Sequence, residues 1–215
     1  MSSGSESQQG DLRIGSNGIA RCWWCGDDPL YVRYHDEEWG RPVDDDHRLF
    51  EKVCLEGFQA GLSWITILRK RDNFRKAFAA FDPEKVARFK TRSVDRLLGD
   101  AGIIRHRGKI EATINNAQRA IDLIDECGSL AAYFWSFEPN KPATPAIDRH
   151  GIPVVTDASK ALSKDLRSRG WKFVGPTTCY AFMQAMGMVN DHLAGCHARK
   201  IAAQARGEFN KPCPT

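Results

Sequence analysis

No run of about 18 apolar residues occurs anywhere in the 215 positions, which excludes a membrane-crossing helix. Residues 1–18 lack the apolar stretch of a secretory leader, so a cytoplasmic protein is expected. No segment repeats at a fixed period, which argues against solenoids and propellers. Alternating apolar and polar runs are almost missing; only 152–155 offers a short strand. Charge of one sign does not dominate, because 31 Lys and Arg face 27 Asp and Glu, a net of +4. That bias is compatible with an anionic partner without specifying one. The seven cysteines are odd in number, in a chain too long to need disulfide stapling, so they read as reduced thiols. Cys54, Cys127 and Cys179 lie in apolar helical patterns, as small buried hydrophobes do.

What is present is helix. A folded chain of this length hides roughly 70–75% of its unfolded surface, and 42% hydrophobic residues supply an ordinary core. From Asp46 onward apolar residues recur every three or four positions. Leu49, Phe50, Val53, Cys54 and Phe58 do so first, then Trp64, Ile65 and Leu68, then Phe74, Phe78 and Phe81. Asp82 and Pro83 form a capped helix start. Ile110, Ile114, Ala117, Ile121 and Ile124 trace the longest helix, which Gly128 stops. Ser129 starts a short aromatic helix, and four prolines (139, 142, 145 and 153) define a long loop. Thr156 opens a helix closed by Gly170, and a last core helix near Tyr180 and Met183 ends at Gly187. The fold class is all-α. A disordered tail is expected over 1–20, one helical domain of one or two lobes over 21–205, and a C-terminal tail over 206–215.

Three groups of residues carry chemistry. Residues 97–109 read as a short helix, a glycine-bearing hairpin and the start of the long helix. Gly102 permits close approach of a ligand, and a helix N-terminus beside Arg105, Arg107 and Lys109 suits a phosphate. The competing reading is a plain turn with solvated basic residues. In the second group, Cys22 and His35 precede the helical body, while His192 and Cys196 are four apart and share a face on a helix. Together they make the Cys₂His₂ set that closes a tetrahedral zinc site and ties both chain ends together. Cys25 and His197 are close rivals, and scattered cysteines with surface histidines are the competing reading. In the third group, Glu56 stands in an apolar, glycine-punctuated stretch leading to Trp64, and Tyr31 and Tyr34 share a face upstream. A carboxylate ringed by aromatic side chains fits a flat, electron-poor base, held by stacking and a charge-assisted hydrogen bond. The alternative is a solvated Glu56 and a core Trp64. Asp44, Asp45 and Asp46 cap and precede a helix, a hard-metal site being the alternative, and Arg69, Lys70 and Arg71 read as a solvated helix end, with DNA contact as the minority reading.

Cys22, Asp28-Pro29-Leu30-Tyr31, Tyr34-His35-Asp36 and Glu38-Trp39-Gly40 resemble the opening of the DNA-3-methyladenine glycosylase I family. Leu55-Glu56-Gly57, Gly61-Leu62-Ser63-Trp64, the run 101–109 and Val189-Asn190-Asp191-His192 extend the resemblance across 21–196. It implies a helix-hairpin-helix DNA glycosylase fold that excises 3-methyladenine from alkylated double-stranded DNA. One structural zinc ion per chain (Zn2+) would be held by Cys22, His35, His192 and Cys196. Glu56 would be the catalytic carboxylate against the flipped base, with Tyr34 and Trp64 stacking and Tyr31 nearby. Gly102, Arg105, Arg107 and Lys109 would hold DNA phosphates, and a monomer is expected. The hairpin lacks the Pro-Gly-Val-Gly form of the wider superfamily, and no aspartate follows it at the usual place. N3-methylation makes adenine cationic and a good leaving group, so strong acid catalysis is dispensable. A zinc-stapled DNA binder without catalysis is the alternative, separable by release of free base. On this reading Glu56→Gln lowers excision about ten- to a hundredfold, while melting temperature holds or rises.

Overall fold

The computed structural model describes residues 11–142 and 144–214. Amphipathic helices cannot stand alone, and here most of them pack on one large core, while Ala198 of the last helix joins a smaller cluster with Cys22, Leu193 and Cys196. In chain order they are α1 (Pro29–Glu37), α2 (Asp46–Gln59), α3 (Trp64–Ala77), α4 (Pro83–Ala87) and α5 (Thr91–Gly99). The series continues with α6 (Arg107–Cys127), α7 (Leu130–Trp135), α8 (Asp157–Ser168), α9 (Pro176–Ala185) and α10 (His197–Glu208). The most central is α2, which meets α3, α6, α7 and α9. It buries Leu49, Phe50, Val53, Leu55 and Phe58, side chains worth about 1.5–3 kcal/mol each when fully removed from water.

The caps read in the sequence are made. Asp82 accepts from the Lys85 amide, Ser129 from Ala132 and Thr156 from Ser159, and Gly128 ends α6 in the left-handed conformation at φ +83°. Asp45 caps α2 through the Arg48 amide. Asp46 reaches across to accept from the Leu130 and Ala131 amides, so it caps α7 as well as beginning α2.

Five expectations need correction. Residues 11–20 are not a tail: β1 (Leu12–Ile14) pairs antiparallel with β2 (Ala20–Cys22), with Leu12 opposite Cys22. The remainder of that expectation, 1–10, lies outside the described residues. Strands of three residues are too short to show alternation, and packing of Leu12 beside Cys22, Leu193 and Cys196 holds the hairpin. Residues 152–155 form no strand. Nor does 206 begin a tail, since α10 runs to Glu208, Arg206 pairs with Glu138 at 2.6 Å, and Phe209 packs on Trp135. The helical spacing does not continue to Phe81, because Ala79, Ala80 and Phe81 turn left-handed. That turn costs about 1–2 kcal/mol per residue; complete burial of Phe78 and Phe81, and their mutual stacking, offset it. His192 and Cys196 do not share a helix either. They flank a turn in which Gly195 takes φ +88°, and Cys196 caps α10.

Candidate active site and metal-binding cluster

Helix α1 places Tyr31 and Tyr34 beside α2, and the turn after α2 delivers Trp64 at the head of α3. These elements and α9 enclose a cavity of about 400 Å³, a size ordinary for a small-molecule site. Glu56, Tyr31, Tyr34 and Trp64 all line it, so the structure unites the four residues nominated from sequence. Glu56 is only 6% exposed, which removes the solvated-helix alternative. Trp64 is both core and wall, its ring 5.5 Å from that of Tyr34. Trp24 and Trp39 complete the aromatic side, with Trp24 packed against Tyr31, Tyr34 and Trp39. Opposite, Tyr180 donates to Asp191 at 2.5 Å and Gln184 donates to the same oxygen at 2.8 Å.

Sequence reasoning missed Lys52. Its Nζ lies 2.7 Å from Glu56 Oε1, donates to the Tyr34 hydroxyl at 2.8 Å and stands 3.2 Å from the Trp64 ring centre. Burial pulls Lys52 below the ordinary lysine range, with the attraction of Glu56 opposing. The signal was available: Lys52 and Glu56 are four apart, hence neighbours on the buried face of α2. The pair also reverses the stability half of the expectation for Glu56→Gln. That change would strand a buried ammonium, which is destabilising.

Next to the pocket wall lies a second cluster. Ligand atoms of Cys22, His35, His192 and Cys196 lie within 4.8 Å of one another, all four residues are buried, and the set could hold a metal ion. Cys22 Sγ is 3.7 Å from His192 Nδ1, and Cys196 Sγ is 3.5 Å from His35 Nε2 and 3.6 Å from His192 Nδ1. The other ring nitrogens are engaged: His35 Nδ1 with Asp36 at 2.7 Å, His192 Nε2 with the Trp39 carbonyl at 3.1 Å. Such outer contacts orient imidazole ligands. Burial alone would raise the Asp36 carboxyl, but hydrogen bonds from Arg21, His197 and His35 hold it well below the usual carboxylate range. The rivals fall outside the four-residue set. Cys25 Sγ donates to the Cys22 carbonyl, and His197 Nε2 faces Asp36 at 2.8 Å. Trp24 and Trp39 pack on His35 and His192, so the cluster braces the aromatic wall of the pocket.

The turn 100–106 joins α5 to α6. Lys70 and Asn73 of α3 donate to the Ala101 and Gly102 carbonyls and pin it. The Gly102 amide is taken by Asp100, and the His106 ring caps the Lys109 amide. Arg105 and Arg107 are exposed, the latter near Asp95 and Glu111, each at 3.3 Å. Lys109 is the exception among the expected phosphate contacts. It is buried, and its ammonium donates to the Phe58 carbonyl at 2.9 Å and the Ala60 carbonyl at 2.6 Å. The last carbonyls of α2 have no intrahelical donor, and Lys109 supplies one. Arg69, Lys70 and Arg71 are not merely solvated: Arg69 pairs with Asp28 and Arg71 with Glu38.

The sequence model of the methyladenine glycosylase family matches residues 24–200. This chain belongs to that family. It is 54% identical over 179 residues to DNA-3-methyladenine glycosylase 1 of Escherichia coli strain K12, covering 83% of this chain and 96% of that protein. A Haemophilus influenzae DNA-3-methyladenine glycosylase is 49% identical, over 82% of this chain and 96% of that one. Among solved structures, 3-methyladenine DNA glycosylase I of Staphylococcus aureus, solved to explain 3-methyladenine recognition, superimposes with TM-score 0.77 at 39% identity. That match covers 80% of this chain and 93% of the other. The methyladenine glycosylase fold is thus this chain's own.

Proposed function

We propose that this protein is a base-excision repair glycosylase that hydrolyses the N-glycosidic bond of 3-methyladenine in alkylated double-stranded DNA and works as a monomer. The observation that carries the reading is a buried carboxylate, Glu56, in an aromatic cavity of about 400 Å³. A flipped base slides between flat side chains, Tyr34 and Trp64 stacking on it with Tyr31 alongside. Extrusion costs a few kcal/mol, less where the damaged pair is already weak. The carboxylate forms a charge-assisted hydrogen bond to the cationic base and gives nothing comparable to neutral adenine. Bond breaking sends the glycosidic electron pair onto the positively charged base, which leaves neutral, and water adds to the oxocarbenium-like sugar and gives up one proton to solvent. No strong acid is needed.

The cluster of Cys22, His35, His192 and Cys196 is read as a structural zinc site. Bonds of about 2.3 Å to sulfur and 2.0–2.1 Å to nitrogen in a tetrahedron put S and N roughly 3.5–3.6 Å apart. The observed separations of 3.5–3.7 Å support that fit. With four protein ligands the ion would have no open position, and its contribution would be to hold β2, α1 and the start of α10 together behind the pocket. The exposed Arg105 and Arg107, with the turn at Gly102, are read as the grip on DNA phosphates. Timed release of free 3-methyladenine from methylated DNA tests the proposal. Glu56→Gln should lower excision about ten- to a hundredfold and leave affinity for undamaged DNA unchanged, since that affinity comes from phosphates. Retention of the lesion without release by the parent protein would make it a binder rather than an enzyme.

A further inference from the structure

We propose that Lys52 is a positioning residue for lesion recognition: its ammonium, 2.7 Å from Oε1, supplies the counter-charge that offsets burial of the Glu56 carboxylate and aims it inside an aromatic pocket. The inference rests on the reading of Glu56 as the group that meets the cationic base. Tryptophan and tyrosine walls disfavour a bare carboxylate, because burial in apolar surroundings favours the protonated acid. A protonated Glu56 would offer a cationic base no charge complement. Lys52 removes that difficulty from within the same helix, one turn before Glu56, at 2.7 Å from Oε1. Its other contacts fix where it stands, since the Tyr34 hydroxyl accepts a second proton and the Trp64 ring face receives the charge. The link to Tyr34 ties the carboxylate to a stacking side chain.

Other charges around the pair are accounted for. From α1 come Tyr31 and Tyr34, both pushed upward by burial and hence neutral. Glu38, just past α1, is paired with Arg71 of α3 at 2.5 Å, so those two largely cancel. Glu51 on α2 pairs with Arg75 of α3 at 2.8 Å. Arg48, also on α2, lines the small polar recess behind the pair with Glu38, Glu51, Arg71 and Arg75. From α9, Tyr180 is neutral and turned to Asp191. Arg149, on the far rim of the same cavity, is paired with Asp11 and stands over the Trp23 ring. Lys52 is therefore, among the described residues, the cation in direct contact with Glu56. Its charge has the sign of the substrate's; pairing with Glu56 and the Trp64 face attenuate that repulsion.

The test is single-turnover excision of 3-methyladenine by the full chain, followed across about pH 5 to 9. The methylated nucleotide carries a fixed charge, so the profile reports the protein. Lys52→Met keeps length and removes charge, and its acid limb should move upward by roughly 1–3 pH units, with excision approaching the parent's at high pH. Lys52→Arg should restore the parent profile. Lys52→Met/Glu56→Gln, free of both charges, should excise as poorly as Glu56→Gln with no displaced limb, and a cooperative melt near the parent's Tm shows that the site still folds. Equal limbs in Lys52→Met and the parent would overturn the proposal, as would a loss of excision equal at all pH values. Full excision by Glu56→Gln would instead overturn the underlying role of Glu56, which keeps the two failures distinct.

Discussion

Replacing Lys109 by methionine tests whether this residue belongs to the fold or to the DNA interface. Methionine preserves the apolar stem and removes the ammonium that bonds the Phe58 and Ala60 carbonyls at 2.9 and 2.6 Å. Hydrogen bonds from a charged donor contribute about 1.5–3 kcal/mol each, and a buried carbonyl left without a donor costs about 1–3 kcal/mol. The two bonds share one donor and are not additive, so the expected loss is roughly 2–4 kcal/mol. For a chain of this size that lowers Tm by roughly 4–15 °C. Because α2 carries Glu56 immediately upstream of those carbonyls, excision should weaken as the protein loosens near its melting range. The measurements are thermal melting by circular dichroism and DNA affinity against salt concentration. Unchanged melting combined with a flatter salt dependence would refute the argument and return Lys109 to the phosphate backbone.

The metal reading predicts about one zinc per chain by elemental analysis, lost together with stability in Cys22→Ser and in His192→Ala but retained in Cys25→Ser. Loss of metal from Cys25→Ser with retention in Cys22→Ser would overturn the ligand set. Converting Arg105 and Arg107 to alanine should reduce the slope of log affinity against log salt by roughly 1–2 units on all sequences. Melting should shift little, because the exposed pairs of Arg107 with Asp95 and Glu111 are worth at most about 1 kcal/mol; an unchanged slope would remove the hairpin from the interface.

Much of the helical framework was legible in the sequence, because capping and apolar spacing are local properties. Asp82, Ser129, Thr156 and Gly128 act within three or four residues of themselves, and they bound helices where the pattern said they would. The Cys/His group and the aromatic residues around Glu56 were legible for another reason. Soft ligands and a carboxylate among apolar neighbours are chemically out of place unless something uses them. Geometry then chose among the thiols, seating Cys22 and Cys196 in the cluster and turning Cys25 to a carbonyl.

Tertiary structure alone decided the direction of long side chains and the pairing of distant segments. Lys109 looks identical to Arg105 and Arg107 in a basic run; only the unpaired end of α2, about 50 residues earlier in the chain, turns it inward. Asp46 sits in an acidic run whose capping of α2 could be read locally, while its second task on α7 could not. The β1–β2 hairpin carries no periodicity, and is held by packing of Leu12 on a cluster in which Cys22 meets His192, 170 positions away. Lys52 had a readable spacing to Glu56, but its contact with Tyr34 and Trp64 joins three helices. Local propensity sets which segments are helical; a buried charge finds its partner only when those segments pack, since desolvation makes an unpaired one too unfavourable to keep.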